Sequence, residues 1–273
     1  MTRNPPREAL DRTVLSLASP RYRGARGPLN SLLRGYLACN RGLLLDPWLR
    51  YHAVLPLVRW ARDGSEPLLD VGSGSVGLAF FLRHPVVSAD LAFSEPDLAR
   101  FQSPIRPVQA SVTQLPFRDA SFRGVVSIDV LEHVPKQLRP QAIRELFRVS
   151  KDLVVIGFPY GELSSRFDQR ALAEETQKGV APLWREEHVR NSLPNPETHE
   201  LIMEIARRSS RPRSISWFGQ EGLLGLRLRW KLQFLIPKES RFYGLVFAPL
   251  YAIHARGSPR KAYRRIYVSR ARP

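Results

Sequence analysis

The 273-residue chain has one cysteine, Cys39, and two methionines. A single cysteine excludes an intramolecular disulfide and suits a reducing compartment. No apolar run approaches the roughly 18 residues of a membrane-crossing helix, so none is expected. The start, Met1-Thr2-Arg3-Asn4-Pro5-Pro6, lacks the apolar stretch of a secretory signal, and a cytoplasmic protein is expected. No cysteine or histidine cluster has metal-site spacing, so no metal is expected. No Gly-Lys-Ser/Thr is present, which excludes a phosphate-cradling P-loop. Repeats and low-complexity tracts are absent. Acids are also few, 25 against 42 Lys and Arg, for a formal net charge of +17.

What is present begins with Leu68-Leu69-Asp70-Val71-Gly72-Ser73-Gly74-Ser75-Val76-Gly77. Apolar residues and an aspartate run into a glycine-rich turn, and Leu78, Phe80, Phe81 and Leu82 follow at helical spacing. That order predicts a buried strand, a tight loop and a helix N-terminus, which brings backbone N–H groups close to a nucleotide-like ligand. Gly72 and Gly74 stand where a Cβ would block either the turn or the ligand's approach. Gly77 completes the spacing of a dinucleotide fingerprint, so the turn alone does not fix the ligand.

The discriminating signals lie downstream. Pro85–Asp90 reads as a second strand ending in a carboxylate, placed to accept hydrogen bonds from two ribose hydroxyls. Val108–Val112 reads as a third strand, followed by Leu115-Pro116-Phe117 and Asp119-Ala120-Ser121-Phe122. Gly124–Val130 predicts a fourth strand running into Leu131-Glu132-His133, and Leu153–Phe158 a fifth. A sixth is expected at Ser214–Phe218 and a last at Arg265–Ser269. Strands alternating with helical stretches predict an α/β fold, a doubly wound, mostly parallel, seven-stranded sheet.

The set LLDVGSGS, VVSAD, LPF-x-DASF and SIDVLEHV resembles class I S-adenosylmethionine-dependent methyltransferases, a Rossmann-like fold, and within them a small-molecule branch with a Leu-Glu-His signature. The resemblance covers about residues 66–160. It implies S-adenosyl-L-methionine as cofactor, with Asp70, Gly72, Ser73 and Gly74 around its methionine part. Asp90 would hold the ribose, Leu91 would pack beside the adenine, and Ser111 and Val112 would sit at the adenine edge. Asp129 and Val130 would line the methyl-donor pocket. The chain departs from the family at Val76, where glycine is usual, at Ser111, where aspartate is common, and at Ser121-Phe122-Arg123, where Ser-Phe-Asp is usual.

Residues 1–65 read as a helical extension, with Trp48, Tyr51 and His52 placed by analogy over the cofactor. The rest, 66–273, reads as the methyltransferase domain: a cofactor core (66–160), a helical substrate region (161–210) and a basic amphipathic insertion (219–260) between the last two strands. From Arg207 onward there are sixteen Lys or Arg against two acids, so +14 of the +17 sits there. Leu223, Leu224, Leu226, Leu228, Trp230, Leu232, Phe234 and Leu235 interleave with Arg227, Arg229 and Lys231, and Pro237 and Pro249 break the segment. Three readings stand: a cover for the sheet with solvated arginines, a patch on an anionic membrane surface, or nucleic-acid binding.

Methyl transfer to a hydroxyl needs an acceptor held in line and a place for its proton. His133, directly after strand four, is a candidate base, its alternative role being to cap the next helix. Asp168 and His188 are further candidates for the base or for binding sugar hydroxyls, with Tyr160 and Trp184 stacking on a ring. The alternative is that Glu186-Glu187-His188 is a solvated helix face. The segment from Phe158 to Pro194 is faintly similar to bacterial methyltransferases encoded among surface-glycan genes. The expectation is a cytoplasmic O-methyltransferase acting on a glycan or lipid-linked glycan, with a peripheral place at the inner membrane face. Methylation of a quinone or other lipid at the membrane is one alternative, and an RNA methyltransferase or basic RNA-binding protein is another.

Overall fold

A computed structural model describes residues 45–63, 66–82, 86–95, 98, 105–209, 213–232, 234–236, 246 and 262–271. Cys39, Pro237 and Pro249 lie outside these, as do the side chain of Trp48 and most of the extension and insertion expected from sequence. Seven strands form one sheet: β1 (Leu68–Val71), β2 (Val86–Asp90), β3 (Ile105–Gln109), β4 (Phe122–Ile128), β5 (Ser150–Pro159), β6 (Arg213–Gly222) and β7 (Ala262–Ala271). Their order is β3-β2-β1-β4-β5-β7-β6. The first five pair in parallel, and β7 is antiparallel to both β5 and β6.

The helices are α1 (Leu45–Tyr51), α2 (Gly77–Leu82), α3 (Arg139–Arg148), α4 (Gly161–Gln177), α5 (Leu183–Asn191), α6 (Pro196–Arg208) and α7 (Leu223–Leu232). A 3-10 segment spans Leu55–Asp63. All four residues of β1 are buried, as expected of a parallel strand covered on both faces. One apolar layer joins Leu49, Tyr51, Val54 and Val58 to Leu78, Phe81 and Leu82 of α2 and to the sheet. The other joins Ala142, Ile143, Leu146 and Phe147 of α3 and Ile202 and Ala206 of α6 to the opposite face. In α3 these buried residues recur at i, i+1, i+4 and i+5, and Pro140 opens the helix where its missing N–H costs nothing.

Most strand bounds differ by a few residues from the sequence expectation, and two of the differences change an assignment. The third strand is Ile105–Gln109, not Val108–Val112, because the ladder to β2 ends with Ala110 N–H on Asp90 O and Ser111 then enters a turn closed by Gln114 N–H. The sixth strand continues to Gly222, so residues 219–222 belong to the sheet and the helical part of the insertion starts at Leu223. There the long β6–β7 ladder wins, pairing Gly222 with Ala262.

Candidate active site

The glycine turn leaves the carboxyl end of β1, at the point where the strand order reverses between β1 and β4. Open α/β sheets bind ligands at this place. Gly72 (φ +75°) and Gly74 (φ +56°) both need the left-handed conformation. A Cβ on Gly72 would also overlap Val130 Cγ2. Gly77 rather than residue 76 is the close-packed position: a Cβ there would stand 3.1 Å from Asp70 Oδ2 and 3.0 Å from Ser73 Cβ. Val76 is therefore accommodated without moving the first two glycines.

Asp70 is buried, accepting Leu78 N–H at 2.7 Å and Tyr51 O–H at 3.2 Å. Burial pushes its carboxyl up to about 7, against those hydrogen bonds. Asp90 accepts Gly74 N–H at 2.7 Å, so the expected ribose carboxylate lies against the turn. Leu91 beside it is 68% exposed. Val112 is buried in the core beneath α3, while the Ser111 hydroxyl is engaged by Thr113 Oγ1 at 2.8 Å. The structure thus gathers Asp70, Gly72, Ser73, Gly74 and Asp90 at the ends of β1 and β2. These residues fit a bound nucleoside: among the described residues nothing stands within 4 Å of a Cβ position on Gly74.

At the end of β4 the chain takes an unusual conformation, since Asp129 has φ +58°. A non-glycine residue held there marks a place where the surroundings override local preference. Arg264 of β7 grips its two carboxylate oxygens at 2.6 and 2.7 Å, and Arg50 of α1 approaches to 3.4 Å. Burial would raise the Asp129 carboxyl, but Arg264 and Arg50 outweigh it and hold it below the usual range. Arg264 also reaches Glu221 at 3.0 Å.

Beyond Asp129 a cavity of about 550 Å³ opens between α1, α5, α7 and β7. Its polar wall includes Asp129, Glu132, His133, His188 and Arg229, and its apolar wall includes Phe167 and Trp230. His188 donates Nδ1–H to Asp168 at 2.9 Å, and His133 donates Nδ1–H to Glu187 at 2.7 Å. A carboxylate can only accept, so these bonds place a proton on Nδ1 of each ring and leave Nε2 for other partners. Burial and the neighbouring His188 lower the His133 pKa, which favours a neutral His133 with its lone pair on Nε2. One ligand atom each from Glu132, His133 and His188 lie within 4.8 Å of one another. The absence of linear metal-site spacing therefore did not carry over into space.

Asp168 is fully committed. Besides His188 it takes Arg185 Nη1 at 2.7 Å and Tyr263 O–H at 2.9 Å, all buried. It positions His188 and does not face the cavity as a free base. Glu186-Glu187-His188 is not a uniformly solvated face, since His188 is buried and Glu187 half-buried while only Glu186 is exposed. Trp184 lines the cavity and stays 44% exposed, whereas the Tyr160 ring lies 3.5 Å beneath the Arg265 guanidinium and lines none of it. The sequence reading missed Arg50, Arg185, Tyr263 and Arg264. Arg264 stands one residue before the strand predicted at Arg265, and no local pattern distinguishes a buried arginine from a solvated one.

Residues 69–155 match the protein-family profile described as a methyltransferase domain. With the sheet order and glycine turn, the match defines the chain as carrying a class I S-adenosylmethionine-dependent methyltransferase domain, and S-adenosylmethionine is its methyl donor. Among solved structures, the methyltransferase domain of bacterial CtHen1-C superposes with a TM-score of 0.52 at 16% identity, over 83% of this chain and 99% of that one. That likeness shows the shared fold. Magnesium protoporphyrin IX methyltransferase from Synechocystis, solved with bound S-adenosylhomocysteine, gives a TM-score of 0.47 at 14% identity over 82% of this chain and 84% of that one. No curated protein matches.

Proposed function

We propose that the enzyme methylates a hydroxyl group of a glycan or lipid-linked glycan held in the cavity beyond Asp129. The observation that carries this reading is the pair of histidines there, each fixed by a carboxylate at Nδ1 with Nε2 left to meet an acceptor. A hydroxyl needs such groups to orient it and to draw off its proton, whereas an amine acceptor needs less. The cofactor supplies an electrophilic methyl group on sulfonium. Asp70, the Gly72–Gly74 turn and Asp90 would hold it, Leu91 would cover the adenine, and Asp129 with Val130 would border its reactive end. The polar lining and the half-exposed Trp184 ring suit a sugar, whose hydroxyls bond and whose ring faces stack.

The lipid-linked form is favoured by α7. Its inner face, Leu223, Leu226 and Trp230, packs on Phe167, Ala171 and Tyr263. Its outer face exposes Leu224, Arg227, Leu228 and Lys231 at helical spacing, with Leu235 following. Leucines between cations suit an anionic bilayer surface. Among the described residues no helix is long and apolar enough to cross a membrane.

Transfer of labelled methyl groups from S-adenosylmethionine into lipid-linked glycans, compared with quinone lipids and RNA, tests the acceptor. Label in the glycan lipid alone is expected, and label confined to RNA or quinone would overturn the reading. Calorimetry with S-adenosylhomocysteine tests the cofactor assignment. Asp90→Ala should weaken binding at least tenfold, and equal affinity would refute it.

A further inference from the structure

Glu132 is fully buried, yet among the described residues neither carboxylate oxygen has a hydrogen-bond partner. Buried polar groups are nearly always satisfied, and an isolated buried carboxylate is costly. The nearest cationic candidate, His188 Nε2, stands 3.9 Å from Oε1, beyond hydrogen-bond reach. The surrounding arginines are already answered: Arg264 by Asp129 and Glu221, and Arg185 by Asp168 and Glu175. Arg139, the first residue of α3 and also buried, spends its guanidinium on the carbonyls of Leu131, Val134, Asn191 and Ser192. Those bonds tie the loop carrying Glu132 and His133 to the end of α5, which carries His188.

The geometry points to a divalent first-row transition-metal ion bound by Glu132, His133 and His188 at the cavity wall. Two imidazoles and a carboxylate are a donor set for such ions. Each histidine already has the outer carboxylate that metal-bound imidazoles use to fix Nδ1–H and present Nε2, namely Asp168 and Glu187. Three protein ligands leave coordination positions open toward the cavity, the pattern of a reactive rather than a structural site. Ligands about 2.1 Å from a tetrahedral ion lie about 3.4 Å apart, so the present spread of up to 4.8 Å closes by about 1.4 Å at its widest, a movement asked of the half-exposed His133.

The binding site stands on these residues alone, and its role rests on the O-methylation reading. A hydroxyl coordinated there becomes acidic. Its proton then passes to solvent as the new C–O bond forms and the donor's C–S bond breaks. In that case the two histidines are ligands and take no proton themselves.

The test uses the full chain after chelator treatment, titrated with Co²⁺ and read by its visible absorption, with Zn²⁺ as competitor. One Co²⁺ per chain is expected, displaced by Zn²⁺. Glu132→Gln and His188→Gln should each weaken it at least tenfold, and the half-exposed His133→Gln gives a variant with little risk to folding. S-adenosylhomocysteine affinity, measured on the same preparations, separates failure of this site from failure of the cofactor reading. A folded chain that binds S-adenosylhomocysteine but no Co²⁺, or Co²⁺ binding indifferent to all three substitutions, overturns the proposal. So does full methylation in excess chelator.

Discussion

Asp70 shows how one carboxylate can set the pH response of the whole protein. Its folded-state pKa is raised from 3.8 to about 7, chiefly by burial. Between those values the unfolded chain is ionised at this position and the folded chain is protonated, so folding takes up a proton. Stability therefore falls as pH rises from about 4 to 7, by on the order of 4 kcal/mol, and the loss is complete above 7. Asp70→Asn should remove that part of the slope, which denaturant titrations at pH 5 and 7.5 will show. An unchanged slope would place the protonation elsewhere. Gly72→Ala meets a different obstacle, a left-handed φ together with overlap on Val130. It should cost about 2–4 kcal/mol and abolish measurable S-adenosylhomocysteine binding. At this scale much was legible: a glycine at a left-handed turn and an aspartate at a strand end are local patterns. The partners of Asp129 were not, because Arg50 and Arg264 come from opposite ends of the described chain.

Among the elements, the strands were read from their apolar runs to within a few residues, and the miss at the third strand was a slip toward the polar turn at Ser111. Helix α5 was harder. Its sequence, LWREEHVRN, has almost no apolar face, so its burial could not be inferred from periodicity. Buried polar contacts hold it instead: Arg185 pairs with Asp168 and Glu175, and His188 hydrogen-bonds Asp168. Helix α7 is the opposite case, apolar on both sides, and sequence could not say which side faces the core. The structure turns Leu224 and Leu228 outward. Leu224→Asp with Leu228→Asp should abolish sedimentation with anionic liposomes while leaving S-adenosylhomocysteine affinity unchanged. Retained sedimentation would remove α7 from the membrane reading.

In the whole molecule, the sheet order joins sites that the sequence keeps far apart. β7 lies between β5 and β6 and delivers Arg264 to Asp129 and Glu221. Removing that guanidinium leaves part-buried Asp129 with Arg50 alone at 3.4 Å and buried Glu221 with Arg229 alone at 3.2 Å. Arg264→Gln should therefore lower stability by about 3–5 kcal/mol, visible as a drop in Tm on the order of 10 °C. A shift within a degree or two would show that the pair is not under load. The strongly basic composition was legible at this scale, but the cavity was not, because its walls come from both sides of the sheet's last crossover.

The place of β7 has a consequence for the order in which the enzyme is made. Among the strands it is the last to leave the ribosome, yet it fills the gap between β5 and β6. A nascent chain that has already exposed the glycine turn, Asp90 and both histidines has only Arg50 beside Asp129 and still lacks the two-pronged grip of Arg264. The donor site can thus be sketched early in synthesis but is completed only when Arg264 arrives. Until then β5 presents an open edge, and a chaperone or a second nascent chain would find it there.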